Sequence, residues 1–338
     1  IYWEDTKMEF SATAGTAGGS LKALFEVRDG DNLENFKGKV TKADSYSLTV
    51  ENISIDNIKS LNLPDKDGKI TVNNISYSYD SWEAQVDAQG NIKSVTFNLS
   101  KDKAIADPEK TVAEGYLLNA GSAINARGIP YYMTQLNEFV RNFSEMFNQI
   151  ESKGQNLNGD TPPTFFEAIT NTAKVYDFSE SEAYSKLPDG QTATINSSSN
   201  TYYRMTAANF SVNKDVMNDV SLFATSTDYV KTDSCDIVDE LKKLQSEKTV
   251  YRGDKAESFL ETIISNVSVD TEKAETYNKL YSNLEQTIAN QRTSVSGVDE
   301  DEEALNLVKF QYSYNMASKI ISVMNQMLDK LINDTGVA

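Results

Sequence analysis

The sequence predicts an α+β protein with several domains, in which a bundle of long helices carries an inserted, mostly antiparallel β domain. Three separate segments place apolar residues at alternating spacings of three and four, a pattern typical of helices that pack along one stripe. Ahead of them, residues 31–127 alternate apolar and polar side chains, a pattern typical of half-buried strands. A chain of 338 residues is long enough for two or three domains.

The first segment, residues 1–30, is predicted to begin the helical core. Residues 20–28 are predicted to form a short helix, because Leu21, Leu24 and Phe25 lie on related faces at helical spacing. Ser20 is the predicted N-cap, since its hydroxyl accepts a hydrogen bond from a free N–H at the start of a helix.

The second segment, residues 31–127, is predicted to be the inserted β domain and to fold as its own unit. Asp67-Gly68 and Gln89-Gly90-Asn91 are predicted turns between its strands. The alternating apolar residues that identify the strands are Tyr46, Leu48, Val50, Ile75, Tyr77, Tyr79, Val95, Phe97 and Leu99. We expect only two chain crossings, near Asp29 and Gly128, to link this domain to the bundle.

The rest of the chain is predicted to contain a long core helix at 128–153, an irregular, β-containing segment at 154–250, and a C-terminal helical region at 251–338. The core helix carries its apolar seam at Met133, Leu136, Val140, Phe143, Phe147 and Ile150. A second seam, within a helix predicted at 254–293, comprises Ala274, Tyr277, Tyr281, Leu284 and Ile288. Both seams are expected to be intramolecular core, with Phe143 and Leu284 shielded from solvent.

A third seam runs almost to the C-terminus, and we call it the terminal seam. It comprises Leu307, Phe310, Tyr314, Ala317, Ile321, Met324, Leu328 and Leu331. The acidic residues 299–303 precede it, where the helix macrodipole favours negative charge. No apolar segment follows it in the sequence to cover the stripe, so we expect it to be an interaction surface.

Charge and composition exclude several classes of partner. The chain carries 50 acidic and 32 basic residues, which gives a net charge of −18. Nucleic acids and anionic membrane surfaces both attract basic proteins, so neither is an expected partner. The sequence has no run that is apolar enough for a transmembrane helix, and its start lacks the basic and then apolar pattern of a signal peptide.

The residue types that common catalytic and metal sites need are missing. The chain has no histidine, which removes Ser-His and Cys-His nucleophile pairs and the usual zinc sites. Its one cysteine, Cys235, cannot form a zinc site alone. Neither a P-loop nor a dinucleotide-binding glycine motif occurs. The sequence therefore predicts a protein that is not an enzyme and has no catalytic residues, cofactor or metal.

Motifs along the chain resemble those of bacterial flagellar axial proteins, and most closely the hook-associated proteins. The C-terminal signature consists of Ser296-Gly297-Val298, Asp301-Glu302-Glu303-Ala304, Asn306-Leu307, Phe310-Gln311, Tyr314 and Ile320-Ile321-Ser322-Val323. Further segments that resemble the family, in the same order, are 18–29, 128–150, 156–159 with 165–166, and 207–213. The chain departs from the family at Glu300, where an apolar residue is usual, and in the length of 31–127, which separates segments that are often nearly adjacent.

The resemblance implies a structural protein that joins the hook to the filament of the bacterial flagellum by helix packing between subunits. It implies that the partners are further copies of the protein, the hook protein, the second hook–filament junction protein and an export chaperone. The terminal seam would then be the surface for assembly and for chaperone binding. The implied location is extracellular, reached by type III export without a cleaved signal peptide.

The resemblance also leads to one further expectation and leaves alternatives open. The family's N-terminal helical region has no counterpart here, so we expect a fragment whose terminal seam lacks its partner helix. Another flagellar axial protein, such as hook protein or flagellin, is one alternative. A secreted adhesin or enzyme whose active part is 31–127 is another, and the absence of a concave, polar-lined pocket from the β domain would count against it.

Overall fold

The structure is a computed structural model that describes residues 18–65, 67–101, 105, 108, 112–121, 123–231 and 233–334. Long helices and antiparallel sheets make up the fold, which confirms the predicted α+β class. Residues 1–17 and 335–338, as well as parts of the predicted segments 31–127 and 154–250, lie outside the described residues. The chain divides after Ile264 into two compact units, and each is described by itself.

The first unit contains a seven-stranded antiparallel sheet and two small ones. The strands are β1 (Phe36–Asp44), β2 (Ser47–Glu51), β3 (Gly68–Val72), β4 (Ile75–Val86), β5 (Ile92–Leu99), β6 (Leu117–Ala120), β7 (Phe166–Ala168), β8 (Ala193–Asn196), β9 (Phe210–Val212), β10 (Thr249–Tyr251) and β11 (Asp254–Lys255). The large sheet has the order β3-β6-β1-β2-β5-β4-β8. Because β3 also pairs with β4, six strands close on themselves, and we call the whole the closed sheet. The pairs β7–β9 and β10–β11 form the small sheets.

The alternation predicted for 31–127 decides which side chains fill the closed sheet. Most of the predicted inward residues are buried, namely Leu48, Val50, Tyr77, Tyr79, Val95, Phe97 and Leu99. Leu48 of β2 lies directly opposite Phe97 of β5. Tyr46 and Ile75 are exposed instead, because Tyr46 lies in the turn before β2 and Ile75 starts β4.

The two ends of residues 31–127 lie side by side. Gly128 N donates a hydrogen bond to Gly30 O at 3.0 Å. A Cβ atom on Gly30 would lie 2.6 Å from Ala126 O, so this close approach requires glycine. The closed sheet is nevertheless not built from 31–127 alone, since β8 comes from the predicted irregular segment 154–250. That 31–127 folds as its own unit stays a prediction.

The long helices lie where the three apolar seams predicted them. The helices are α1 (Gly19–Asp29), α2 (Ile129–Glu151), α3 (Ser179–Ser185), α4 (Lys214–Asn218), α5 (Asp236–Ser246), α6 (Ala256–Ser296) and α7 (Glu300–Asp334). Helix α1 has Gly18 as its N-cap, so the capping role predicted for Ser20 is wrong. None of the helices in the part of the chain that the structure describes has the length and hydropathy needed to cross a membrane.

Helix α2 buries a polar face more deeply than its apolar seam. The buried polar side chains on α2 are Gln135, Glu138, Arg141, Ser144, Glu145, Asn148 and Glu151. Phe143 of the seam is half-buried, with the rings of Phe166 and Phe147 at 5.8 and 6.1 Å. The expectation that this seam forms a fully shielded core is therefore only partly met.

The second predicted seam lies on α6, and we call it the α6 seam. It is exposed, so its prediction as intramolecular core is wrong for this chain. Leu284 is 49% exposed, and the other four residues of the seam are exposed as well. The bundle predicted for α2 and α6 is represented only by a contact at the first turn of α6. There the ring of Phe259 stacks on the ring of Phe139, with 5.3 Å between their centres. The physical reason is that spacing decides which residues share a helix face, whereas burial requires a second element against that face.

Candidate assembly surface

Helix α7 presents the terminal seam on one uninterrupted helix. Asp299 caps its start by accepting a hydrogen bond from Asp301 N at 2.9 Å. Four acidic residues, 300–303, occupy the first turn, where the positive end of the helix macrodipole stabilises them. Every residue of the terminal seam is exposed, with Phe310 at 75%. The seam is therefore a displayed surface within this chain.

A second apolar face of α7 was missed by the sequence analysis. It comprises Leu305, Val308, Tyr312, Met316, Ile320, Val323 and Met327, all of them exposed. At about 100° per residue these side chains lie on the other side of the helix from the terminal seam. A search for a single heptad stripe passes over them, although plotting every apolar residue around the helix would have found them.

Many of the polar residues of α7 lie along one stripe. That stripe contains Gln311, Asn315, Ser318, Ser322 and Asn325. Between Ala304 and Leu328 the charged residues are Lys309 and Lys319, whose stems can pack while their ammonium groups stay in water. A helix that is apolar around most of its circumference is normally covered on more than one side. The surface of α7 therefore fits partners on at least two sides.

The segments that resemble the flagellar family meet around α2 in the first unit. Asn148 donates to Phe166 O at 2.8 Å and accepts from Phe166 N at 2.9 Å. Asn137 accepts from Ala207 N at 2.9 Å, and the rings of Phe166 and Phe210 lie 5.0 Å apart. Motifs that are far apart in the sequence therefore form one network of contacts on this helix.

Arg141 ties α2 to the closed sheet, and the sequence analysis missed it. The side chain is 2% exposed, and its guanidinium donates to Leu61 O, Lys59 O and Met205 O at 2.7, 2.8 and 2.9 Å. It also lies 4.6 Å from the centre of the Tyr203 ring. Burial lowers the pKa of Arg141 to about 10, so the group stays charged at neutral pH. An arginine beside an apolar stripe carries no local signal that distinguishes it from a surface residue.

Carboxylates on the same face of α2 are buried as well. Glu145 pairs with Lys59, and Glu138 pairs with Arg252 at 3.4 Å. Glu151 is 1% exposed, and burial raises its pKa to about 7. Within the described residues, no three side chains of the types His, Cys, Asp and Glu are grouped to hold a metal ion. The buried charges of Glu138 and Glu145 thus serve contacts inside the first unit.

Two neighbouring hollows of about 480 and 490 Å³ lie where the closed sheet meets α2. Glu34, Asn35, Ser60 and Thr134 line both of them. Asn35 is buried, and its side-chain amide has no hydrogen-bond partner among the residues that the structure describes. Polar side chains line parts of both hollows, so a concave pocket with polar lining, whose absence would have counted against an adhesin or enzyme in 31–127, is present.

Comparison with known proteins points to the flagellum. A family model described as "Flagellar basal body rod FlgEFG protein C-terminal" matches residues 289–334, which contain the end of α6 and all of α7. The chain is also similar to flagellar hook-associated protein 1 of Bacillus subtilis (strain 168), with 21% identity over 341 aligned residues. That alignment covers 98% of this chain and 56% of the relative, so the chain spans little more than half the length of the curated relative it matches.

The family match agrees in position with the C-terminal signature at 296–323. The family match falls on the helix that carries the terminal seam, and the similarity to the relative extends from the first unit into the second. The resemblance predicted from the sequence is therefore confirmed, and this chain is similar to the flagellar hook-associated proteins along nearly its whole length.

Proposed function

We propose that this chain is part of a structural protein of the bacterial flagellum that joins the hook to the filament. The observation that carries the proposal is α7, a long exposed helix with apolar residues on two faces, which lies inside the family match at 289–334. The order of the motifs and the similarity over 98% of the chain support the same reading. The protein acts by packing against other subunits, and no catalytic step is part of the proposal.

In this proposal both apolar faces of α7 lie against helices of neighbouring subunits. Burying a Leu, Ile, Phe or Met side chain contributes about 1.5–3 kcal/mol relative to leaving it exposed. Seven of the eight terminal-seam residues are larger than alanine, so in register they contribute on the order of 10–20 kcal/mol. The loss of freedom on association costs about 4–15 kcal/mol, a term of similar size. At helical spacing Lys309 and Lys319 fall among the residues of the second face. Burial there requires their stems to pack while their ammonium groups stay in water.

The proposed partners follow from the junction role. They are further copies of the protein, the hook protein on one side and the second hook–filament junction protein on the other. Before assembly, an export chaperone covers the terminal seam, because an apolar surface of this extent would associate prematurely. The protein is exported through the type III channel without a cleaved signal peptide and works outside the cell. The closed sheet projects outward from the assembled tube.

The test places charge in the terminal seam of the full-length protein. Ile321→Asp with Leu328→Asp would put two unpaired carboxylates into a helix interface, at a cost of several kcal/mol of binding. We expect cells that make only this variant to carry hooks without filaments, because the junction does not assemble. Electron microscopy of flagella would measure the fraction of hooks that bear a filament.

The matched control adds the same two charges to the polar stripe of the same helix. Asn315→Asp with Ser322→Asp leaves both apolar faces intact, so normal filaments are expected. Lys319 and Gln326 are less suitable control positions, since they border the second apolar face. The proposal is wrong if the seam variant builds filaments normally, or if the seam and control variants fail alike.

The position of the protein along the flagellum separates the junction role from other axial roles. Gold-labelled antibodies raised against the closed sheet should bind in one narrow band between hook and filament. Labelling along the whole filament would identify a flagellin, and labelling along the whole hook would identify a hook protein. Either of these patterns would show that the protein is a flagellar component but does not form the junction.

A further inference from the structure

We propose that the two neighbouring hollows between the closed sheet and α2 form one groove that binds an oligosaccharide of N-acetylated amino sugars. The hollows measure about 480 and 490 Å³, and each volume lies within the range of small-molecule sites. They share a wall formed by Glu34, Asn35, Ile55, Ser60 and Thr134. This binding is additional to the proposed assembly function and does not depend on it.

Asn35 provides the observation that points to a ligand. It lies in the wall that the two hollows share, and it is only 6% exposed. Neither its amide nitrogen nor its amide oxygen has a hydrogen-bond partner among the residues that the structure describes. A buried donor and acceptor without partners destabilise the folded chain. A ligand that supplies both partners recovers this loss once the Asn35 side chain turns into the groove.

The charges around the groove disfavour an anionic ligand. The carboxylate of Glu34 pairs with Arg252 at 3.5 Å, and Arg252 also pairs with the buried Glu138 at 3.4 Å, so its charge is already balanced within the chain. The other charged lining residues are Asp29, Asp31, Asp56, Lys37 and Lys69. Acidic groups therefore outnumber basic ones, and a phosphate or carboxylate would be repelled.

The residues of the shared wall match the acetamido group of an N-acetylated sugar. The Asn35 carboxamide can accept a hydrogen bond from the acetamido N–H and donate one to the acetamido carbonyl. Ile55 provides an apolar side chain in the same wall, which suits the acetamido methyl group. The hydroxyls of Ser60 and Thr134 can exchange hydrogen bonds with sugar hydroxyls. Because the two hollows share this wall, a ligand held there can extend into both.

A peptide contains the same amide group, but the described strands at the groove offer a peptide no free edge. The lining residues Phe36, Thr71 and Ala120 belong to β1, β3 and β6. Strand β6 pairs with both β1 and β3, and β3 pairs with β4, so these backbones are engaged in the closed sheet. Extended peptides often bind by adding a strand to an exposed sheet edge. The groove therefore fits a ligand that is recognised through side chains.

Isothermal titration calorimetry of the full-length protein with two matched trisaccharides tests the proposal. Triacetylchitotriose carries an acetamido group at each position where cellotriose carries a hydroxyl. We expect the acetylated sugar to bind about tenfold more tightly or better, because only this sugar supplies both partners of the Asn35 amide. The proposal is overturned if triacetylchitotriose gives no saturable binding or if the two sugars bind alike. Tighter binding of a third probe, trialanine blocked at both ends, would overturn it in favour of a peptide.

Matched variants decide whether the sugar binds in the groove. Asn35→Leu removes the unpaired amide at similar volume, so it should weaken the binding of triacetylchitotriose about tenfold or more without lowering the thermal midpoint. Asn171→Leu makes the same change in an exposed turn outside the groove and should bind like the wild type. Binding that survives Asn35→Leu contradicts the proposal, and so does an equal loss in both variants.

A second variant keeps the test decisive if Asn35→Leu fails to fold, as judged by circular dichroism. Thr134→Val removes a hydroxyl of the shared wall with almost no change in shape, so weaker binding supports the proposal and unchanged binding overturns it. None of these measurements involves filament assembly. Failure of the proposed function would be seen separately, as normal filaments in the Ile321→Asp with Leu328→Asp variant.

Discussion

Helices α2 and α7 carry the same spacing of apolar residues, yet only α2 is held by the rest of the chain. The buried face of α2 is polar, and Arg141 and Asn148 bind backbone groups of other segments. No residue of α7 is buried, and apolar side chains occupy two of its faces. Polar side chains that reach specific carbonyl and amide groups fix a helix within its own chain, whereas a helix with two apolar faces requires additional surfaces to cover it.

The largest expected effect comes from removing the anchor of α2. Arg141→Met would leave three buried carbonyl groups, those of Lys59, Leu61 and Met205, without their donor. We expect the free energy of unfolding of the first unit to fall by about 3–5 kcal/mol, as measured by urea denaturation. Arg28→Met on α1 is the control and should leave the urea midpoint unchanged. Equal shifts in the two variants would show that Arg141 is not an anchor.

A pH-dependent effect is expected at Glu151. Burial raises the pKa of its folded-state carboxyl to about 7 from an ordinary value of 4.5. The unfolded chain therefore releases this proton first, and the wild type loses up to about 3 kcal/mol of stability as pH rises from about 4.5 to about 7. Glu151→Gln cannot ionise, so relative to wild type it should be more stable at pH 8 than at pH 4. Unfolding free energies at both pH values test this, and a difference that does not change with pH contradicts it.

A smaller effect is expected in the apolar seam of α2. Phe143 is half-buried, so Phe143→Ala should cost about 1–3 kcal/mol, less than the value of about 3–5 kcal/mol for a fully buried phenylalanine. Phe97→Ala in the closed sheet provides that reference, because Phe97 is completely buried. Chemical denaturation of both variants measures the two costs. A cost at Phe143 that equals or exceeds the cost at Phe97 would mean that the seam is as closely packed as the sheet.

The smallest effect on the isolated chain is expected on α7. Leu328 is exposed, so Leu328→Asp should change the free energy of unfolding by no more than about 0.5 kcal/mol. Leu328 also belongs to the terminal seam, and a charge introduced into that seam should prevent junction assembly. A large loss of stability in the isolated chain, measured by thermal unfolding, would show that this part of the seam already packs within the chain.

The candidate site could be predicted from sequence in part. The terminal seam lies on one helix and its residues share one face, because the 3, 4 spacing depends only on helix geometry. The second apolar face was also present in the sequence, at Leu305, Tyr312 and similar positions, but a search for one stripe excluded it. That the terminal seam binds subunits and a chaperone stays a prediction.

No local sequence pattern could predict the residues that anchor α2 in the first unit. Arg141 donates to a carbonyl 80 residues earlier in the chain. The side chain of Asn148 forms hydrogen bonds with both the N–H and the carbonyl of Phe166. The polar face that contains them has the composition of a solvated surface, so periodicity predicted that the apolar seam opposite would be the core. Only the fold shows that turns of the closed sheet lie against the polar face.

Sequence patterns alone were sufficient to place the long helices, most of the inward residues of β2, β4 and β5, and the family resemblance. Side-chain direction along a regular backbone repeats every 3.6 or 2 residues, so these features depend on near neighbours only. Tertiary structure decided that β8 adds a seventh strand to the closed sheet, that Arg141 is buried and that the α6 seam is exposed. Each of these depends on contacts between residues far apart in the sequence, because burial is a property of what lies against a face and not of the face itself.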